Sequence, residues 1–108
     1  MNGSWHMRYR IEDTGTDLVV HLEGQLNFGA DRVFQDLLAE LAEHHGHRRV
    51  RLDLSELSHI DSVGLGLLYI AREDLDAVGI RLCLSRPRAN VLRMLDLTEA
   101  SETFEITR

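Results

Sequence analysis

Between Arg49 and Val78 the apolar residues change their period once, and that change confines the chain to few architectures. In RVRLDLSEL, residues 49–57, Val50, Leu52 and Leu54 alternate with Arg49, Arg51 and Asp53, the period of a strand whose two faces differ. Alternation sends both arginines and Asp53 to one face, which reads as solvated. From about Val63 to Val78 the repeat becomes helical, with Leu67, Leu68, Ala71, Leu75 and Val78 on one side and Gly79 as the stop. A strand, the polar turn SELSHID and a helix thus follow one another directly.

The same two periods recur on either side. MRYRIE (7–12) alternates and DLVVHLEG (17–24) is β-branched and apolar, with Gly15 in the TGTD turn between them, so an antiparallel hairpin opens the fold. From Asn27 onward Val33, Phe34, Leu37, Leu38 and Leu41 take helical spacing, with Asp31, Gln35, Asp36, Glu40 and Glu43 between them. That helix ends at EHHGH, where Gly46 can supply a left-handed cap and His44 and His45 lie near the negative helix end. IRLCLS (80–85) is a further strand, Arg86 and Pro87 open a helix striped by Val91, Leu92 and Leu95, and TFEIT (103–107) closes the chain as a short strand. The expected class is α/β: one domain with a mixed sheet of four to five strands packed with about three to four helices. Residues 1–6 read as a leader or a disordered start and 7–108 as the domain.

Composition excludes several chemistries. All twelve basic residues are arginine, so neither Schiff-base chemistry nor a phosphate-loop lysine is available. Against them stand 18 acidic residues, a net charge of −6 that disfavours nucleic acid and anionic membranes as partners. Cys83 is the only cysteine and lies in an apolar run, which predicts a buried, inert thiol and excludes an internal disulfide. No stretch approaches the roughly 18 apolar residues of a membrane span, and MNGSWHM lacks the form of a signal peptide. The expected compartment is the cytosol, with no metal and no cofactor.

The chemistry-bearing stretch is LSHIDSVGLGLL, residues 57–68. Asp61 or Ser62 can cap the helix that starts here, and Gly64 and Gly66 keep its first turn slim. A serine in that place is either a cap alone or a hydroxyl offered to another protein. A phosphate added to it would lie among positive amide dipoles and bring roughly −1.5 to −2 charges to a contact surface.

The segment VRLDLSELSHIDSVGLGLLYIARE resembles the central signature of STAS domains, especially bacterial anti-sigma-factor antagonists. LVVHLEGQLN resembles the family's earlier strand and loop, and GIRLCLSRPRANVLRMLDLT its later strand and helix, so the resemblance runs from about Met7 to Phe104. It implies a non-enzymatic protein that binds an anti-sigma factor, typically a serine kinase, and frees a sigma factor for transcription. The motif serine, here Ser62, is then the phosphorylation site; phosphorylation abolishes binding until a phosphatase acts. Partner contacts are expected at Asn27, Phe28, His59, Asp61, Ser62, Val63 and Gly64. Where the family usually reads Gly-Glu-Leu-Asp, this chain has GQLN, Gly24 to Asn27, so two acids are replaced by amides. A second function compatible with the resemblance is the STAS subunit of a bacterial lipid-transport ATPase (an ABC transporter), in which the same helix surface would be a permanent contact.

Rival motifs are weaker. GLG at 64–66 lacks a third glycine, because Tyr69 stands in its place. Adjacent His44 and His45 splay apart on a helix and make a poor metal pair. His59, Asp61 and Ser62 are triad residue types, but sequence neighbours rarely meet triad geometry, and no Gly-x-Ser-x-Gly elbow is present.

Overall fold

The computed structural model describes residues 6–44 and 46–108; His45 and residues 1–5 of the expected leader lie outside these. Strands β1 (Arg8–Asp13) and β2 (Leu18–Leu26) come first, then a 3-10 turn (Phe28–Ala30) and helix α1 (Asp31–Ala42). β3 (Arg49–Ile60), α2 (Ser62–Ala77), β4 (Arg81–Ser85), α3 (Ala89–Leu97), a second 3-10 turn (Ala100–Glu102) and β5 (Glu105–Thr107) follow. The strands lie in the order β1-β2-β3-β4-β5, antiparallel between β1 and β2 and parallel thereafter. The expected mixed α/β sheet is therefore present, with five strands and three α-helices among the described residues.

Spatial order equals chain order, and this decides where the helices go. Each crossover, β2-α1-β3, β3-α2-β4 and β4-α3-β5, advances the sheet in the same direction. Parallel crossovers are right-handed, so all three helices fall on one face. There Leu18, Val20, Leu22, Val50, Leu52 and Leu84 share a single buried cluster with Phe34 and Leu37 of α1, Leu68 and Leu75 of α2, and Val91 and Leu95 of α3. Each fully buried Leu or Phe contributes about 1.5–3 kcal/mol. The alternate positions, among them His21, Arg49, Arg51, Asp53, Cys83 and Ser85, belong to the face that receives no helix.

The end of α2 shows how local sequence fixes its length. Gly79 takes φ +80° and its N–H donates to the Asp76 carbonyl at 3.0 Å, while the Ile80 N–H donates to Leu75 at 2.9 Å. This pair of bonds satisfies carbonyls that the helix would otherwise leave free. At the end of α1 the expected glycine cap is displaced: Glu43 is the cap residue, and Gly46, though left-handed at φ +88°, lies beyond it.

Several sequence expectations need correction. SELSHI is not a turn; β3 continues through it to Ile60, with register irregularities against β2 between His21 and Glu23 and between Gly24 and Gln25. These bulges reset the alternation, so that Leu57 and Ile60 still reach the core after Leu54. α3 does not open at Pro87. Arg86 and Ala89 both take positive φ, 54° and 49°, and Arg88 is extended, so the helix begins only at Ala89. Val78 is 66% exposed because it sits past the helix end at φ −110°, ψ 17°, which turns it off the apolar stripe. Leu97, the last residue of α3, is likewise exposed, at 73%. Cys83 is buried as expected.

Candidate partner-binding site

The carboxyl ends of β2 and β3 meet at one junction. Leu26 is in register with Ile60, and its carbonyl accepts the Asp61 N–H at 3.3 Å. Asp61 is extended (φ −112°, ψ −175°), and its Oδ1 accepts the Gly64 N–H at 2.7 Å. The Leu65 N–H donates to the Asp61 carbonyl at 2.9 Å, which starts the helical ladder. Of the two candidates, Asp61 is therefore the cap. Ser62 is the first helical residue and is exposed, and no described residue hydrogen-bonds its hydroxyl.

The two glycines of DSVGLG differ in role. A Cβ on Gly64 would lie 1.9 Å from the Leu26 carbonyl oxygen, so only glycine lets α2 approach the end of β2 this closely. A Cβ on Gly66 would meet nothing within 4 Å. The expectation that both glycines keep the turn slim holds for Gly64 alone.

The structure brings most of the sequence-predicted residues to this junction. Asn27 caps the 3-10 turn, its Oδ1 accepting the Gly29 N–H at 2.9 Å, and its Nδ2 donates to Gln25 Oε1 at 3.2 Å. The two amides that stand in GQLN thus bond to each other, which two carboxylates could not do. Phe28, in the turn packed against α2, is 75% exposed, and Val63, next to Ser62, is 49% exposed. His59 lies on β3 rather than in a loop, in register with Gln25 and half-buried. Asn90, at the start of α3, accepts the Ile60 N–H through Oδ1 at 3.1 Å and so ties a third segment to the same end of the sheet. Ile70, which sequence reading did not single out, is also exposed. It stands off the Leu67, Leu68, Ala71 and Leu75 stripe and continues the line of Val63 and Gly66 at helical spacing, the signal that could have marked it.

One Asp61 carboxylate oxygen accepts the Gly64 amide, and among the described residues no hydrogen bond links His59, Asp61 and Ser62 into a relay that could activate the hydroxyl. The amides of Ser62 and Val63, in the first turn, lie outside the helical ladder. A phosphate on Ser62 would meet those positive dipoles and, beside them, the negative Asp61 side chain, so it would project outward.

The other charged cluster lies on the helix-free face. Asp53 is 4% exposed, against the expectation of a solvated strand face. Its Oδ2 accepts from His21 Nδ1 at 3.0 Å and from the Arg86 guanidinium, and its Oδ1 accepts the Ser55 N–H at 3.0 Å. Burial alone would raise its pKa, but the Arg86 and Ser55 hydrogen bonds outweigh it and hold the carboxyl at about 2. Arg49 Nε and an Arg51 terminal nitrogen share Asp17 Oδ2 at 3.2 and 3.0 Å.

The sequence profile of the STAS domain matches residues 8–108, and the chain belongs to that family. A STAS-domain containing protein of Pseudomonas aeruginosa is 26% identical over 93 residues, covering 86% of this chain and 90% of that protein. Among solved structures, an anti-sigma factor antagonist from Mycobacterium paratuberculosis superposes with a TM-score of 0.79 at 24% identity, covering 94% of this chain and 85% of that one. The anti-sigma factor antagonist SpoIIAA in its unphosphorylated form gives 0.70 at 20% identity, covering 94% and 89%, and a structure of its phosphorylated form also matches, at 0.66. These likenesses establish a STAS fold whose structural neighbours include anti-sigma factor antagonists.

Proposed function

We propose that this protein is an anti-sigma factor antagonist: it binds an anti-sigma factor that is a serine kinase, releases the sigma factor, and is switched off by phosphorylation of Ser62. It performs no chemistry itself and works in the cytosol without metal or cofactor; the kinase adds the phosphate and a phosphatase removes it. The docking surface comprises Asn27, Phe28, His59, Asp61, Ser62, Val63 and Gly64, with Ile70 extending it along α2.

One observation carries this reading: the Ser62 hydroxyl is exposed and has no partner among the described residues, while Asp61 caps the helix and Gly64 seats it. The serine is free of structural duty between a cap and a glycine that the fold needs. Exposed Phe28 and Val63 beside it supply apolar contact area. A phosphate there adds charge to that area without breaking a bond of the fold.

The test is to incubate the protein with its cognate kinase and ATP and to map phosphate by mass spectrometry. Phosphate is expected on Ser62 and is lost in Ser62→Ala. Phosphate confined to Ser55, Ser58 or Thr98 would overturn the assignment.

A further inference from the structure

The helix-free face of the sheet holds a groove of about 400 Å3. Buried Cys83 and Ser85 form its floor, and Arg49, Arg51, Arg86 and Arg108 stand around it. None of these residues belongs to the Ser62 junction. In a chain of net charge −6, four guanidinium groups line one groove, Arg49 and Arg51 paired with Asp17, Arg86 with Asp53 and Arg108 with Asp96. Glu105 is the one acid among the lining residues, and its carboxylate lies 3.8 Å from Arg81.

The donor count exceeds what the protein uses. A guanidinium carries five N–H groups, and Arg49 and Arg51 share a single carboxylate oxygen of Asp17. Arg86 and Arg108 bond to Asp53 and Asp96 but keep 62% and 60% of their side-chain surface exposed. Arginine forks match the oxygens of phosphate in paired bonds, which lysine cannot do. The Thr107 side chain adds a hydroxyl to the lining. At about 400 Å3 the groove falls within the size range of small-molecule sites and is more than ten times the roughly 30 Å3 share of one water. It has room for more than a phosphate group, so an organic anion suits it, and inorganic pyrophosphate can occupy the phosphate end alone.

We propose that this groove binds a small phosphorylated metabolite bearing at least two anionic charges. Arg49 and Arg51 hold the phosphate, and Arg86 and Arg108 meet the remainder of the molecule. Asp17 is then the internal competitor that the ligand displaces, since it occupies the same two guanidinium groups in the free protein.

Titration of the full chain with inorganic pyrophosphate, followed by amide nuclear magnetic resonance, tests the site. Shifts are expected at Arg49, Arg51, Cys83, Ser85 and Thr107, and none at equal ionic strength of sodium chloride. Asp17→Asn should tighten binding about three- to tenfold by freeing two guanidinium groups, and Arg51→Gln should weaken it about tenfold. Arg108→Gln, whose partner Asp96 is exposed, should also weaken binding without disturbing the fold. Shifts reproduced by chloride, shifts spread over the whole surface, or affinities unchanged in Asp17→Asn and Arg108→Gln would overturn the proposal. None of these outcomes bears on Ser62, whose phosphorylation is read separately.

Discussion

Replacing Gly64 by alanine tests the junction on which the candidate site rests. The added methyl would sit 1.9 Å from the Leu26 carbonyl oxygen and 2.7 Å from its carbon, both backbone atoms that cannot swing aside. Relief requires α2 to withdraw by more than 1 Å, on the order of the overlap. That movement breaks the 3.3 Å bond from Asp61 N to Leu26 and strains the Asp61 cap. Overpacking of this kind costs about 1–3 kcal/mol and loss of a cap about 1 kcal/mol, while alanine regains about 1 kcal/mol of helix propensity. The net loss is about 1–3 kcal/mol, equivalent to roughly 4–13 °C in Tm for a domain of this size. Gly66→Ala is the internal control: its methyl meets open space, so propensity alone acts and stability should rise by up to about 1 kcal/mol. Urea denaturation followed by circular dichroism measures both. A Gly64→Ala protein as stable as the parent would refute the close approach of α2 to β2, and with it the geometry that presents Ser62.

Ser62→Asp should change stability by no more than about 1 kcal/mol, yet weaken anti-sigma factor binding far more, as read by denaturant melts and titration calorimetry; unfolding would make the serine structural. Asn27→Asp keeps an oxygen for the Gly29 amide but gives up the donor to Gln25, so it should alter partner affinity where Glu43→Gln, past the end of α1, does not. Asp61→Ala should cost about 1 kcal/mol through the lost cap, measured in the same melts. Asp53 has its pKa depressed from 3.8 to about 2, so it contributes stability above pH ~4 that disappears as pH falls toward 2. The contribution is about 2 kcal/mol, and Asp53→Asn should flatten the acid limb of a stability profile between those limits.

Much of this architecture was legible because period reports burial. Val50, Leu52 and Leu54, and then Leu67, Leu68, Ala71 and Leu75, read as strand and helix and are so. What escaped were places where backbone geometry departs from a fixed period. The bulges of β3 shift its phase after Asp53, so a strand of twelve residues looked like a shorter strand and a turn. Positive φ at Arg86 and Ala89, neither a glycine, leaves no compositional mark, and Pro87 then mimics a helix start. Asp53 was placed on the correct face but not recognised as buried, because its cover comes from partners on other strands and the Arg86 loop. At the site, short side chains at both Asp61 and Ser62 left the cap undecided; the extended backbone of Asp61 decides it. The identical-looking Gly64 and Gly66 were separable only by knowing what each touches.

The agreement of strand order with chain order has a consequence for synthesis. As the polypeptide leaves the ribosome, every new strand finds its only upstream neighbour already made, and no strand must wait for a later one to separate it from its partner. The sheet can accrete from its hairpin edge, with β1 and β2 as the local seed and the slower parallel pairings added one at a time. The seat for α2, the Leu26 carbonyl, lies upstream of Ser62 and so leaves the ribosome before it. β5, only three residues long, is the last strand of the sheet to be made and closes its far edge.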